Sequence, residues 1–268
     1  MLPGTAPPAE REIALRGGEI TDGVVRVGGT VRRPVGPSAP AIHALLRHLP
    51  SAGFDRAPRF LGLDERGREI LTFIPGEAAT RPLPAHAVGD DSLVALARLL
   101  RRFHDASAGF PAEAYSWGPG SNDDLPPEVV GHCDVTPDNV VFRGGLPYAL
   151  IDFDLARPTT RLFDVVTTLR HWAPVADPVD RDPLQRGLDV GARLRLFCDE
   201  YGVPRRDRRR LLDLARLRFD RSYANMRLRA VTDGGAWARM WAQGAGERIR
   251  RARAWLDAHE DEIQARLR

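Results

Sequence analysis

Side chains that could carry out phosphoryl transfer lie close together in one stretch of the chain. It contains His132-x-Asp134, then Asn139, and further on Asp152-Phe153-Asp154. One carboxylate can orient and deprotonate an attacking hydroxyl, while a second carboxylate and an amide oxygen can hold Mg²⁺ against nucleotide phosphates. Asp134, Asn139 and Asp152 are therefore candidates for these tasks.

A predicted β-hairpin would bring these residues together in space. The apolar runs 140–142 and 149–151 flank a Gly-Gly turn, which is the pattern of two antiparallel strands. Asn139 comes just before the first strand and Asp152 just after the second. Because the two ends of a hairpin lie side by side, we expect Asn139 and Asp152 to converge, with Asp134 on the loop leading in.

The order of residues in this stretch resembles a known family. H-C-D-V-T-P-D-N-V-V-F followed by I-D-F-D is similar to the H-x-D-x-x-P-x-N and I-D-x-x motifs of the aminoglycoside phosphotransferase and choline kinase branch of protein-kinase-like enzymes. The resemblance implies a kinase of a small-molecule hydroxyl, with Mg²⁺ and with ATP, or GTP, as co-substrate. It implies that Asp134 is the catalytic base and that Asn139 and Asp152 bind the metal. It also implies supporting roles, with His132 and Asp164 bracing the catalytic loop and Asp154 as a further metal contact.

The resemblance implies an α+β, protein-kinase-like fold of two lobes. Residues 1–76 would form a small antiparallel sheet with one helix, and residues 77–268 would form a mainly helical lobe that carries both loops. The residue patterns predict, in the first lobe, a strand at 12–16, a glycine loop at 17–23, a hairpin over 24–33, a helix at 40–49 and strands at 58–62 and 69–74. In the second lobe they predict helices over 93–104, 190–201, 207–229 and 237–267, the last broken near 244–246.

Two further features of the chain have alternative interpretations. A strand that ends in Pro75-Gly76 resembles the hinge between the lobes, which implies that backbone groups of Thr72 and Ile74 bind adenine; a plain strand end is the alternative. Trp237 and Trp241 lie four residues apart on one helical face. We expect them in the core, with the wall of an acceptor pocket as the alternative.

The chain departs from the family pattern where a strand lysine grips the nucleotide phosphates. It contains no lysine, so all 39 of its Lys and Arg residues are arginine. Arg32 aligns best with the lysine position, and Arg33 would point to the opposite face of the strand. Arginine can bind phosphate bidentately. The helix at 40–49 contains no acidic residue, with His43 its nearest polar candidate, so the carboxylate partner of the lysine is expected to be missing.

Composition excludes several other classes of protein. The 268 residues, 43% hydrophobic and 28% charged, are typical of a soluble globular chain. Two cysteines are too few for a disulfide framework or a zinc site, and the N-terminus lacks the pattern of a signal peptide. We therefore predict a cytoplasmic protein that binds neither membrane nor nucleic acid. The arginine cluster at 205–210 opens an amphipathic helix and is better explained as a solvated face.

Two functions remain open at this point. The leading hypothesis is an ATP- and Mg²⁺-dependent phosphotransferase, with Arg32 contacting phosphate and Asp134 acting on the acceptor hydroxyl. The alternative is a nucleotide-binding pseudokinase that serves as an immunity, sensing or scaffold protein, which the missing lysine and its missing acidic partner would favour. Retention of Asp134, Asn139 and Asp152 favours the enzyme.

Overall fold

The N-terminal part of the chain forms a five-stranded antiparallel sheet in the order β1-β2-β3-β5-β4. The structure, a computed structural model, describes residues 11–15, 23–120 and 122–268. The strands are β1 (Ile13–Ala14), β2 (Val25–Val27), β3 (Thr30–Arg33), β4 (Phe60–Leu63) and β5 (Glu69–Thr72), and helix α1 (Ala39–Ser51) connects β3 to β4. Apart from Gly23, the predicted glycine loop lies outside the described residues.

Two small sheets carry the loops that follow. They contain β6 (Glu77–Ala78), β7 (Val129–Gly131), β8 (Val140–Arg143), β9 (Leu146–Leu150) and β10 (Arg157–Thr159), paired as β6-β8-β9 and β7-β10. The chain leaves the first sheet after Thr72, and Glu77 already pairs with Phe142 of β8. This change of sheet lies where we predict the boundary between the lobes.

The rest of the described chain is helical. The helices are α2 (Ala85–Val88), α3 (Asp90–Ser107), α4 (Arg161–Trp172), α5 (Val190–Tyr201), α6 (Arg205–Arg208), α7 (Arg210–Thr232), α8 (Gly235–Ala242), α9 (Ala245–Ala258) and α10 (Glu260–Leu267). The predicted helix over 237–267 is three helices. Gly244, with a φ of +82°, ends the first, and a second break falls at His259, which no glycine or proline signals.

Helix α3 supports the hairpin that carries the site. Its apolar stripe, which includes Leu93, Leu96, Leu100 and Phe103, is fully buried. The helix packs against α5 on one side and against β7 and β9 on the other. The rigid core therefore lies directly behind the loops at 132–139 and 151–154. Among the described residues, no helix is both long and apolar enough to cross a membrane.

Candidate active site

The β8–β9 hairpin brings the predicted metal ligands to the same end of the sheet. Gly144 and Gly145 both have positive φ, +57° and +77°, as a tight hairpin turn requires. Val140 pairs with Leu150, and the Ile151 N–H donates to the Asn139 carbonyl oxygen at 2.9 Å. Asn139 and Asp152 therefore leave the hairpin next to each other, because its register fixes where both strands end.

Asn139, a predicted metal ligand, holds Asp134, the predicted base, through hydrogen bonds. The Asn139 amide nitrogen donates to both the backbone oxygen and the Oδ2 of Asp134, each at 3.0 Å. The Thr136 N–H donates to the same Asp134 backbone oxygen at 2.8 Å. Because Asp134 takes the donor end of the Asn139 amide, the amide oxygen is left as a possible cation ligand.

Burial raises the pKa of Asp134 to about 7, with the nearby carboxylates of Asp152 and Asp138 adding to the effect. The carboxyl group therefore changes charge near neutral pH. A base with a pKa close to the working pH is well matched to accepting a proton from a hydroxyl.

Strained backbone marks both loops of the site. Cys133 and Asp152 each have a φ of +61°, and in the part of the chain that the structure describes they are the non-glycine residues with positive φ. Such a conformation costs on the order of 1–3 kcal/mol per residue and persists only where the surroundings enforce it.

Asp164 supplies that enforcement for the catalytic loop. Its carboxylate accepts hydrogen bonds from the His132 N–H at 2.8 Å and the Cys133 N–H at 2.9 Å. The carboxylate is fully buried, and His104 Nε2 lies 2.9 Å from its Oδ2. Burial alone would raise the pKa of Asp164, but its hydrogen bond to His104 is the first of several contacts that hold it below the usual value. The ionised carboxylate at the start of α4 therefore holds the backbone of this loop through two hydrogen bonds.

The close approach of Asp164 requires a glycine at position 131. A Cβ at Gly131 would lie 2.5 Å from Thr159 Cγ2 and 2.8 Å from Asp164 Oδ2. We expect Gly131→Ala to lower the free energy of unfolding by about 1–3 kcal/mol, the usual cost of overpacking. Chemical denaturation measures this, with Gly187→Ala as the control because a Cβ there meets no atom. Equal losses in the two variants would contradict the proposed constraint.

His132 joins the catalytic loop to the metal-binding loop. Its ring is fully buried, and Nε2 lies 3.0 Å from the Ile151 carbonyl oxygen, to which it donates. Burial lowers the pKa of His132, so the ring is neutral at neutral pH. Its position fits a bracing hydrogen bond and not proton transfer.

Arg33, and not Arg32, contacts the metal-binding loop, which corrects the predicted assignment. Arg33 Nη1 lies 3.1 Å from Asp152 Oδ1, and Nη2 contacts Asp154. Arg32 Nη1 instead donates to Thr30 Oγ1 of its own strand at 2.5 Å. Side chains alternate across a strand, and Val31 packs on the apolar core, so Arg33 shares the inward face and Arg32 does not.

The acidic partner that we expected to be missing comes from a neighbouring strand. Glu69 lies opposite Arg33 in the β3–β5 register, and its Oε1 is 2.6 Å from Arg33 Nε as an ion pair outside hydrogen-bond geometry. Its Oε2 is 2.7 Å from His43 Nε2 on α1. The sequence contained a signal for this acidic partner, because Glu69 and Leu71 are two residues apart on β5 and therefore lie on the same, buried face. Arg33, Glu69 and His43 therefore form a buried chain of ion pairs that connects β3, β5 and α1.

The oxygen donors of the site are of the type that a hard divalent cation prefers, while among the described residues no three or more His, Cys, Asp or Glu side chains are grouped as a metal site. Three carboxylates, those of Glu69, Asp152 and Asp154, surround the single charge of Arg33. This group has an excess of negative charge: burial and Asp152 raise the pKa of Asp154 even though Arg33 lies beside it. With the Asn139 amide oxygen, the carboxylates of Asp152 and Asp154 offer the oxygen ligands that Mg²⁺ prefers.

The predicted adenine-binding backbone is only partly available. The Thr72 N–H already donates to the Arg59 carbonyl oxygen at 3.0 Å, and the Phe73 N–H to Gly29 at 2.9 Å. Among the described residues, no acceptor is found for the Ile74 N–H. The prediction therefore narrows to the Thr72 carbonyl oxygen and the groups of Ile74.

A cavity of about 600 Å³ opens directly in front of these loops. Asp134, Asn139 and Asp152 line it, together with residues of α4 and of the C-terminal helices α7 to α9. Trp237, which we expected in the core, is half-buried and forms part of its wall. The cavity is large enough for a small-molecule acceptor beside the predicted base.

Comparison with known proteins agrees with this geometry. Residues 119–197, which contain both loops, match the model of the phosphotransferase enzyme family. The trifolitoxin immunity protein of Rhizobium leguminosarum bv. trifolii is 34% identical over 273 residues, covering 96% of this chain and 98% of that protein. A homoserine kinase of Parvibaculum lavamentivorans is 28% identical over 181 residues, about half of each chain, 52% and 54%.

The fold also matches solved structures. The GDP complex of a wild-type aminoglycoside 2'-phosphotransferase superposes with a TM-score of 0.61 at 18% identity, covering 92% of this chain and 93% of that one. Because identity is low, this likeness concerns the fold alone, and it confirms the predicted α+β, two-lobe architecture. The chain therefore belongs to the phosphotransferase enzyme family, as its loop motifs predict.

Proposed function

We propose that this protein transfers the terminal phosphoryl group of ATP to a hydroxyl group of a small molecule. The observation that carries the proposal is the meeting of Asp134, Asn139 and Asp152 at one cavity. Phosphoryl transfer depends mainly on positioning and on electrostatic stabilisation, so a site built from these groups suffices.

Each side chain has a defined task in this proposal. Asp134 orients the acceptor hydroxyl and accepts its proton, and the Asn139 amide holds the Asp134 carboxylate in place. Arg33 supplies a fixed positive charge at the metal-binding carboxylates of Asp152 and Asp154, where it can contact the nucleotide phosphates. Mg²⁺ bound by Asn139 and Asp152 would neutralise phosphate charge.

The direct test is an assay of ADP formation with ATP, Mg²⁺ and a panel of small hydroxyl compounds, followed by detection of the phosphorylated product. We expect transfer to at least one acceptor class, and loss of that transfer in Asp134→Asn. If the folded protein forms no phosphorylated product with any compound of a broad panel, the proposal is wrong.

Replacing Asp152 with asparagine should weaken binding of the Mg²⁺–nucleotide complex by about 1.5–3 kcal/mol, because a charged ligand of the metal is lost. Calorimetry with ATP and Mg²⁺ measures this. The exposed Asp261→Asn is a matched control for the loss of one carboxylate. Nucleotide affinity without Mg²⁺ should change much less, and an equal loss with and without Mg²⁺ would contradict the assignment of Asp152 as a metal ligand.

One observation favours a second candidate, an immunity protein that binds nucleotide without transfer. The relative that matches nearly the whole chain is an immunity protein by name. Under this alternative the cleft binds ATP, no acceptor is phosphorylated, and Asp134→Asn keeps the protective effect of the protein in cells. The assay described above therefore separates the two functions.

A further inference from the structure

We propose that the acceptor is a small hydroxyl compound that carries an oxyanion group, a carboxylate or a phosphate, held by the arginines that line the cavity. This inference rests on the proposed function and names its substrate class. Nothing in the two loop motifs requires it, because those motifs provide the predicted base and metal ligands and do not concern the rest of the acceptor molecule. It comes from the composition of the cavity wall, which only the tertiary structure assembles.

The wall of the cavity is strongly basic. Its lining includes seven arginines, Arg81, Arg157, Arg170, Arg181, Arg218, Arg229 and Arg248. It includes four carboxylates, Asp134, Asp138, Asp152 and Asp180. Two of these carboxylates already have arginine partners from outside the cavity wall, since Asp152 pairs with Arg33 and Asp180 pairs with Arg251 at 2.7 Å.

Most of these arginines have no carboxylate partner within the described ranges. Of the seven, only Arg229 forms an ion pair there, with Asp233 at 2.8 Å. The others make hydrogen bonds to neutral groups or none. Arg218 Nε donates to Thr167 Oγ1 at 3.3 Å, and Arg248 Nη1 donates to the Gln243 carbonyl oxygen at 2.7 Å. A basic wall of this kind attracts anions and repels cations.

Two of the arginines are buried with part of their guanidinium unsatisfied. Arg157 is 8% exposed and Arg181 is 6% exposed. Arg157 Nη1 donates to the Pro119 carbonyl oxygen at 3.1 Å, but its Nε finds no acceptor among the described residues. Arg181 Nε donates to Ala176 at 2.9 Å, whereas its buried Nη2 also lacks an acceptor there. Buried charged donors without acceptors are costly, and neither guanidinium group has a carboxylate partner among the described residues, so both leave an uncompensated positive charge at the cavity wall.

Arg170 and Arg218 connect this basic wall to the catalytic centre. Burial lowers the pKa of Arg170 to about 9, with the nearby charge of Arg218 contributing, and the pKa of Arg218 is lowered mainly by burial and by Arg157. The carboxylate of Asp134 acts on both in the opposite direction. Arg170, Arg218 and Asp134 line the same cavity, so their charges act on one another and on a molecule bound there.

The position of the wall separates it from the nucleotide side. No described residue of the five-stranded sheet lines the cavity; beyond the two loops, its lining comes chiefly from α4, α7, α8 and α9. Under the proposed function the nucleotide phosphates lie at Arg33, Asp152 and Asp154, which puts the nucleotide on the side of that sheet. The basic wall thus faces the position of the acceptor, which disfavours a polycationic acceptor such as an aminoglycoside.

The test compares acceptors that share a carbon skeleton and differ in charge. Glycerol is neutral, serinol is cationic, glycerate carries a carboxylate and glycerol phosphate carries a phosphate group. We expect kcat/KM for one of the two anionic compounds to exceed that of the neutral and cationic ones by about tenfold or more, the effect of one hydrogen bond between charged groups. The comparison of glycerate with glycerol phosphate decides whether a carboxylate or a phosphate group is preferred.

The variants Arg218→Gln and Arg170→Gln test whether these two arginines bind the anionic acceptor. Each should raise KM for the anionic acceptor by about tenfold and leave KM for ATP unchanged. Arg206→Gln, at an arginine whose side chain is 86% exposed outside the cavity, is the matched control and should behave as the wild type. Preference for neutral or cationic acceptors, or an unchanged KM in both cavity variants, would overturn the inference.

A binding measurement separates failure of this inference from failure of the proposed function. Titration of the nucleotide-free protein with inorganic phosphate should show binding that Arg218→Gln weakens and Arg206→Gln does not. If no alcohol is phosphorylated but phosphate binds in this way, the anion site stands and the proposed function is wrong. If phosphate does not bind and the anionic alcohols are not preferred, the anion site is wrong, whatever the protein phosphorylates.

Discussion

Asp134→Asn should reduce phosphoryl transfer by a factor on the order of 10²–10⁴, the contribution of a general base, and leave nucleotide binding intact. The amide keeps the shape of the carboxyl group and can still bond to Asn139, but it cannot accept a proton. Single-turnover transfer measures the loss, and calorimetry with ATP and Mg²⁺ measures the binding. Transfer at the wild-type rate would show that the base lies elsewhere.

The same variant should change the dependence of stability on pH. The pKa of Asp134 is raised by burial from 3.8 to about 7, so the folded state binds this proton more tightly than the unfolded state does. The wild type therefore loses stability as pH rises through that window, whereas Asp134→Asn removes the loss. Between pH 4 and pH 8, the free energy of unfolding of the variant should rise by about 1–4 kcal/mol relative to that of the wild type. Denaturant unfolding at each pH measures this.

The raised pKa also predicts the pH dependence of activity. Because the ionised form of Asp134 accepts the proton, kcat/KM should rise with pH through a value near 7 and then level off. A rate that falls over the same window would contradict the role of Asp134 as a base.

Arg33→Met should lower the free energy of unfolding by about 3–5 kcal/mol, because it leaves a buried carboxylate without its positive partner. Glu69 is 4% exposed and faces Arg33 across the sheet, while His43 is its only other side-chain partner among the described residues. Nucleotide binding should weaken as well, because the positive charge of Arg33 beside Asp152 is lost. Urea denaturation and ATP titration measure the two effects.

The neighbouring arginine is the matched control. Arg32→Ala removes an arginine from the same strand whose side chain, among the described residues, hydrogen-bonds to Thr30 and forms no ion pair, and it should cost less than 1 kcal/mol, as most substitutions away from buried networks do. Adding Glu69→Gln to Arg33→Met should recover part of the stability, because the uncompensated charge is gone. If Arg32→Ala proves the more harmful of the two, the assignment of Arg33 is wrong.

The sequence by itself predicted the two loops that meet at the candidate site. The motif residues Asp134, Asn139 and Asp152 lie within about twenty positions of one another, and a single hairpin with a Gly-Gly turn connects them. Local rules for turns and for alternating strand residues are enough to place residues that close together in the chain. The same holds for the long amphipathic helix α3, whose apolar stripe fixes the face that it buries.

Only the tertiary structure decided two features of the site, the pairing of Arg33 with Glu69 and the basic wall of the cavity. The choice between Arg32 and Arg33 depends on which face of β3 meets the core, and the partner Glu69 lies 36 residues from Arg33 (69 − 33) on a strand that pairs with it only in the folded sheet. The basic wall gathers arginines from residue 81 to residue 248. Side chains so far apart in the chain meet only through the packing of several helices, and the charge of a cavity is a sum over all of them, which no local pattern contains.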